Sequence, residues 1–236
     1  MPDTAKVQLT AVYHRYYDDL RSTAPELLDD DYSNPYYSSI PDGWFESTIR
    51  IMIVGEEGFG TWGCGKGDEH PIPANDFETI QNLNYNYLRK QLLQDDGNLN
   101  NSAFWKRFRK ISPYGVCSWT NIDKIHRLAN KNCALSQTER KKLHSINTRV
   151  LFEEINILNP THIIFFGWYG VSLRHELPDV YSLLYPNGSS DNSLWNQNVV
   201  PIQHDGRIFI FAYHPNWGYR NKGYEDKVLK TIQDHI

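Results

Sequence analysis

Four short apolar segments, each ending abruptly at a glycine or a polar residue, constrain the fold of this chain more than any other feature. They cover residues 49–54, 115–120, 162–166 and 207–213 of the 236-residue sequence. Short, continuously apolar segments are typical of strands that are buried on both faces of a parallel sheet. Residues 199–203 precede the turn sequence His-Asp-Gly and are predicted to form an antiparallel edge strand beside the fourth segment.

Segments with the three-to-four spacing of apolar residues that is typical of helices lie between the predicted strands. The clearest covers residues 143–158, ends at an Asn-Pro pair and leads directly into the third strand. Others cover residues 7–20, 80–88 and 228–236. This alternation of helices and strands predicts an α/β fold.

Composition and charge narrow the classes of function. A hydrophobic fraction of 40% and a charged fraction of 22% are those of a globular protein with a full core. The net charge of −4, from 24 Lys and Arg against 28 Asp and Glu, is not that of a globally basic nucleic-acid-binding protein. A polyanionic partner therefore needs a local basic face. Residues 106–110 and 140–142 are adequately explained as solvated helix faces, whereas Arg220 and Lys222 adjoin a candidate site.

The cysteines and the N-terminus indicate the compartment. Cys64, Cys117 and Cys133 have no CxxC spacing, so neither a disulfide framework nor a structural zinc site is indicated. The first ten residues lack the apolar core of a signal peptide, and no segment approaches the ~18 apolar residues of a membrane span. We expect a monomeric cytoplasmic protein without metal or other cofactor and without membrane contact. Residues 1–48 are expected to form an extension packed on one domain, residues 49–236.

The side chains best suited to chemistry follow the predicted strands. Ligands of an open parallel sheet bind beyond the carboxyl ends of its strands. Those positions hold carboxylates, amides, a histidine and aromatic rings, namely Glu56, Glu57, Phe59, Asn121, Trp168, Tyr169, His214 and Asn216. For Asn121 a structural role is open, since asparagine is a preferred N-cap and a helix beginning at Ile122 is possible. For His214 the structural alternative is a turn in which the backbone satisfies the ring.

A glycine-rich segment after the first strand allows a different prediction. Gly58, Gly60 and Gly63 match GxGxxG, and residues 60–66 match most of a phosphate-binding P-loop. Both motifs require a helix to begin there, because its N-terminus holds the phosphate. The sequence continues instead into a stretch with two prolines, and Gly67 stands where a Ser or Thr would ligate magnesium. A nucleotide-phosphate site is therefore the weaker alternative.

Four motifs together resemble those of the uracil-DNA glycosylase superfamily. They are GEEGF at residues 55–59, Thr120-Asn121, ILNPTHIIFFG at residues 157–167 and AYHPN at residues 212–216, in the order and approximate spacing of that family. The resemblance covers residues 49–236 and implies a three-layer α/β/α sandwich with a central four-stranded parallel sheet. It also implies an active site in the loops after the first and last of these strands.

The resemblance implies a role for each matching residue. Glu57 stands where family members have an Asp or Asn that positions or activates water, and Phe59 stands where an aromatic ring or a glycine lies under the flipped base. Asn121 would read the Watson–Crick edge of uracil, and His214 would donate to the base oxygen that gains charge. These roles suit glycosidic cleavage, because its oxocarbenium-like transition state needs negative charge near the sugar and a donor at the departing base. The base must also be extruded and held against an aromatic face.

Two of the motifs depart from the family pattern. The family has a proline where Gly58 stands, and it reads His-Pro-Ser with a following apolar wedge where this chain has His-Pro-Asn-Trp-Gly-Tyr. In this chain Asn216 would contact phosphate and either Trp217 or Tyr219 would replace the wedge. Arg220 and Lys222 would neutralise phosphates. The three cysteines argue against the iron–sulfur branch of the superfamily.

These observations predict a monofunctional, metal-independent DNA glycosylase that acts on DNA containing uracil or a related deaminated base. A second hypothesis keeps the fold and replaces cleavage by the binding of a base, a nucleotide or nucleic acid. A third is a small-molecule or nucleotide-phosphate enzyme that uses the glycine-rich segment.

Overall fold

Helices and strands alternate along the chain in the computed structural model, which describes residues 2–57, 72–93, 99–128, 135–167, 174–185, 199–218 and 223–236. The elements occur in the order α1 (Pro2–Thr23), β1 (Arg50–Glu57), α2 (Phe77–Leu93), α3 (Ala103–Ile111), β2 (Val116–Asp123), α4 (Gln137–Leu158), β3 (His162–Phe166), α5 (Pro178–Leu184), β4 (Val200–His204), β5 (Arg207–Ala212), α6 (Pro215–Gly218) and α7 (Tyr224–Gln233). Short 3-10 helices occupy Pro25–Leu28 and Ser112–Tyr114. The predicted α/β class is confirmed.

The five strands form one sheet in the order β2-β1-β3-β5-β4. Strands β1, β3 and β5 are parallel, with Ile53 opposite Ile164 and Ile164 opposite Ile210. Residues in the middle of all three strands are fully buried, as their continuous apolar sequences predict. Within the part of the chain that the structure describes, no helix has the length and apolar composition needed to cross a bilayer.

The expectation of a four-stranded sheet is wrong by one strand, because β4 joins the sheet antiparallel to β5. Asp205 and Gly206 connect the two strands with φ angles of 49° and 70°. Positive φ at both central residues is the signature of a two-residue type I′ turn, whose twist suits a β-hairpin. The predicted edge strand is therefore confirmed, and it brings the strand count to five.

Residue contacts divide the chain into two compact units. The first comprises residues 1–40, 56–89 and 119–158, and the second comprises residues 41–55, 90–118 and 159–236. In the first unit α1 packs against α4.

A buried ion pair lies in the core of the first unit. Lys124 Nζ is 2.6 Å from Glu154 Oε2, and both side chains are fully buried. The hydroxyl of Thr120 donates to the same carboxylate oxygen at 2.7 Å, and the hydroxyl of Tyr13 donates to Oε1 at 2.8 Å. Burial lowers the pKa of Lys124, and the adjacent Glu154 carboxylate opposes this shift. Three elements, α1, β2 and α4, are therefore joined by one polar cluster.

A capping box starts α4 in the same unit. Ser136 N–H donates to Glu139 Oε2 at 2.6 Å, and Glu139 N–H donates to Ser136 Oγ at 3.3 Å. Arg127 Nη2 donates to Glu139 Oε1 at 2.7 Å, and the hydroxyl of Tyr32 donates to the same oxygen. Burial acts to raise the pKa of Glu139, but these hydrogen bonds outweigh it and hold the pKa at about 2.

The depressed pKa of Glu139 predicts a pH-dependent contribution to stability. Because the folded-state pKa lies below the unfolded value, the contribution is fully present above about pH 4.5 and is lost as the pH falls towards 2. We expect Glu139→Gln to lower the free energy of unfolding by about 2 kcal/mol at pH 7, the usual size for a hydrogen-bonded charge. Urea unfolding measured from pH 7 to pH 2.5 should show this difference shrink below pH 4.5. A constant difference across that range would contradict the assignment.

Candidate active site

Several predicted site residues lie partly or wholly outside the described residues. β1 extends to Glu57, so Glu56 and Glu57 belong to the strand and not to a following loop, and the side chain of Glu57 is not among those described. The same holds for the side chain of Trp217, which lies in α6. Phe59, Trp168, Tyr169, Arg220, Lys222 and the glycine-rich segment from Gly58 onward also lie outside the described residues. Their roles stay predictions.

His214 caps the short helix α6 that follows β5. Pro215 is the first helical residue, a position where its missing N–H costs nothing and its fixed φ suits the helix. The backbone N–H of Asn216 donates to Nδ1 of His214 at 3.3 Å. Because a backbone N–H is only a donor, Nδ1 must accept, and the proton of the neutral ring then resides on Nε2. The turn that satisfies the ring therefore also selects its tautomer.

Asn121 lies inside β2, which continues to Asp123. No helix begins at Ile122, so the N-cap alternative for this residue is excluded. The side chain of Asn121 is 3% exposed, and its Oδ1 accepts a hydrogen bond from Nε1 of Trp119 at 3.0 Å. An indole N–H is only a donor, which fixes the oxygen of the carboxamide on the Trp119 side. Nδ2 makes no hydrogen bond to any described residue, so the amide presents its donor side away from Trp119.

Trp119 and Asn121 are two residues apart on a strand and therefore point to the same face of the sheet. Tyr36 supports Trp119 from that face, with ring centroids 4.3 Å apart and its hydroxyl donating to the Trp119 carbonyl at 2.8 Å. The ring centroid of Tyr87 is 6.2 Å from that of the same indole. The orientation of the Asn121 amide is thus fixed by a packed aromatic cluster.

Arg107 is buried against the backbone that leads to His214, a contact that the sequence does not predict. The cluster at residues 106–110 was expected to be a solvated helix face, but Arg107 on α3 is only 1% exposed. Its Nε donates to Glu225 Oε2 at 2.7 Å, and its Nη1 donates to the backbone oxygen of Tyr213 at 3.2 Å. Tyr213 is the residue before His214. The sequence offers no local signal for this contact, because Glu225 lies 118 residues away.

Three of the other six basic residues in the two clusters form ion pairs with a carboxylate. Lys110 lies 3.5 Å from Glu225 in the second unit. In the first unit Arg140 pairs with Asp123 at 3.3 Å and Lys142 pairs with Glu26 at 2.7 Å. These carboxylates partly neutralise the two clusters, so neither cluster is a wholly unpaired basic face.

The structure places the remaining candidates in separate parts of the chain. Asn121 belongs to the first unit, and His214 and Asn216 belong to the second. Within the second unit His214 is hydrogen-bonded to Asn216. Within the first unit Asn121 is hydrogen-bonded to Trp119. Among the residues that the structure describes, no group of three or more His, Cys, Asp or Glu side chains is arranged to hold a metal ion.

No protein-family model matches the sequence, and no curated protein matches it. The resemblance to the uracil-DNA glycosylases therefore depends on the four motifs alone.

Proposed function

We propose that the chain is a DNA glycosylase with the three-layer α/β/α architecture of the uracil-DNA glycosylases, hydrolysing the N-glycosidic bond of uracil or a related deaminated base. The observation that carries this proposal is the hydrogen bond from Asn216 N–H to Nδ1 of His214. It leaves a neutral imidazole with its proton on Nε2. A preorganised donor of this kind stabilises a base that leaves as an anion.

The proposed reaction breaks the bond between the sugar C1′ and the base nitrogen. The bonding electron pair leaves with the base, and Nε2–H of His214 donates to the base oxygen on which the negative charge develops. The carboxylate of Glu57 stabilises the positive charge on the sugar and accepts a proton from the water that adds to C1′. The products are a free base, which takes up a proton from solvent, and an abasic site in the DNA.

The remaining predicted residues bind the substrate in this scheme. Phe59 stacks against the extruded base. Asn216, Trp217, Arg220 and Lys222 contact the DNA backbone and fill the space that the base leaves. The proposed partner is DNA that contains uracil or a deaminated base, bound by a cytoplasmic monomer without a cofactor.

Base choice would follow from the orientation of Asn121. Its carboxamide oxygen faces Trp119, so the group it offers to a ligand is the Nδ2 amide donor. A donor pairs with a carbonyl oxygen and not with an amino group. Uracil, hypoxanthine and xanthine carry a carbonyl where cytosine, adenine and guanine carry an amine, so this orientation favours the deaminated bases.

Loss of the Trp119 hydrogen bond is expected to weaken this preference. Trp119→Phe keeps an aromatic ring beside Tyr36 and removes the donor that fixes the Asn121 oxygen. We expect kcat/KM for uracil release to fall about fivefold, the equivalent of one neutral hydrogen bond of ~1 kcal/mol. Tyr36→Phe is the matched control, because it removes a hydrogen bond to the Trp119 backbone without touching the amide. Equal rates in the two variants would contradict the role of Trp119.

The proposed function is tested with a panel of substrates. Single- and double-stranded oligonucleotides that carry uracil, hypoxanthine or xanthine are incubated with the protein, and abasic sites are revealed by alkaline cleavage. We expect release of at least one of these bases and none of cytosine or adenine. DNA binding without abasic sites would support the second hypothesis, binding without cleavage. Saturable ATP or dinucleotide binding that Lys66→Ala abolishes would support the third.

A further inference from the structure

The backbone of Tyr213 is held from both sides by side chains of two helices. Its N–H donates to the hydroxyl oxygen of Tyr224 on α7 at 2.9 Å, and its carbonyl accepts from Arg107 on α3 at 3.2 Å. Tyr213 lies between the end of β5 and His214. The N–H belongs to the peptide unit that enters Tyr213 and the carbonyl to the peptide unit that leads to His214, so each of the two peptide units that flank the Tyr213 Cα is fixed by one side chain.

Stability alone does not account for an arginine at this position. The Arg107 guanidinium is 1% exposed, pairs with the 29%-exposed side chain of Glu225 and lies 5.0 Å from the ring centroid of Phe166. Removing a charge from water costs several kcal/mol, and well-packed apolar residues often replace buried ion pairs without loss of stability. An apolar side chain in that space would have no donor for the Tyr213 carbonyl. The Tyr213 carbonyl is therefore the group that requires a guanidinium donor at this position.

The residues that follow His214 fix its ring through the start of α6. Asn216 N–H donates to Nδ1 of His214 only while the chain enters the helix with its present geometry. If the Tyr213 backbone rotates about its Cα, the peptide unit that leads to His214 turns with it, and the contact at Nδ1 lengthens. The neutral ring would then exchange between its two tautomers, and the proton would leave Nε2 for part of the time.

We propose that Arg107 and Tyr224 are positioning residues that set the orientation and the tautomer of His214. This inference rests on the proposed function, in which Nε2–H of His214 donates to the departing base. Neither residue is assigned a contact with substrate. They act on the reaction by fixing the backbone of Tyr213, which in turn orients His214.

The test is nitrogen NMR of the 15N-histidine-labelled protein, with His214 assigned from the spectrum of His214→Gln. In the wild-type protein we expect Nδ1 to give an unprotonated signal and Nε2 a protonated one. In Tyr224→Phe, which loses one oxygen, and in Arg107→Lys, which keeps the charge, both signals should move towards the average of the two tautomers. In the same variants kcat for base release should fall about 10- to 100-fold, the cost of a small misplacement, with KM changed less than twofold.

Lys110→Met is the matched control, because Lys110 faces the same Glu225 carboxylate and makes no hydrogen bond to Tyr213. It should leave the His214 signals and kcat unchanged. Unaltered His214 signals in folded Tyr224→Phe would overturn the proposal, and this holds even if Arg107→Lys does not fold. Altered signals in a protein whose wild type releases no base would support the positioning role and overturn the glycosylase function.

Discussion

Replacement of His214 by alanine is expected to slow base release about 100- to 1,000-fold, the usual cost of removing one preorganised donor from a site of developing charge. The imidazole is half-buried and is held at Nδ1 by the backbone of Asn216. In the proposed reaction Nε2 would therefore donate without the ring first having to rotate or exchange a proton. Water would take the place of the ring in the variant and would have to reorient during the reaction.

Single-turnover rates measured with protein in excess over DNA test this expectation, since they exclude effects on product release. His175→Ala is the control, because it removes an exposed histidine outside the described strands and α6. Asn121→Ala and Glu57→Gln should also reduce the rate by orders of magnitude. Undiminished activity in all three site variants would refute the assignment of the site.

Loss of either partner of the Lys124–Glu154 pair is expected to lower the free energy of unfolding by about 3–5 kcal/mol. Both side chains are fully buried, so Lys124→Met leaves a carboxylate in the core that retains only the hydroxyls of Thr120 and Tyr13. Glu154→Gln leaves an unpaired ammonium group in the same surroundings. In each variant a charge remains where water cannot reach it.

Urea unfolding at pH 7 measures these changes. The exposed pair Lys142–Glu26 provides the control, with a separation of 2.7 Å and side chains that are nearly half exposed. Lys142→Met is expected to cost at most about 1 kcal/mol, because solvent screens such pairs. The double variant Lys124→Met/Glu154→Leu should recover much of the loss of the single variants. A loss at Lys124 no larger than that at Lys142 would contradict the account.

The strands could be predicted because each buried strand is a continuous run of apolar residues. Residues 51–54, 163–166 and 209–212 are continuously apolar and fully buried, and a type I′ turn follows from the Asp-Gly pair at 205–206. The end of β2 could not be predicted in the same way. Thr120 and Asn121 are polar but buried, and Thr120 is satisfied by Glu154, which follows 34 residues later.

The position of His214 in the fold was predictable, but the contacts around it were not. The location of His214 directly after the last strand, followed by proline, is visible in the sequence. The hydrogen bond from Trp119 to Asn121 has a local signal as well, since the two residues share a strand face. The burial of Arg107 has no local signal in the sequence. Helix α3 carries four basic residues, and only the tertiary structure distinguishes the one that binds Tyr213.

Release of free uracil by the wild-type protein decides whether the chain is a glycosylase. Wild-type protein in excess over a uracil-containing oligonucleotide, in the presence of EDTA, is assayed for free uracil by chromatography and for abasic sites by alkaline cleavage. We expect one free base for each abasic site, at a rate that His214→Ala lowers at least 100-fold. Intact DNA at protein concentrations that saturate binding would contradict this expectation.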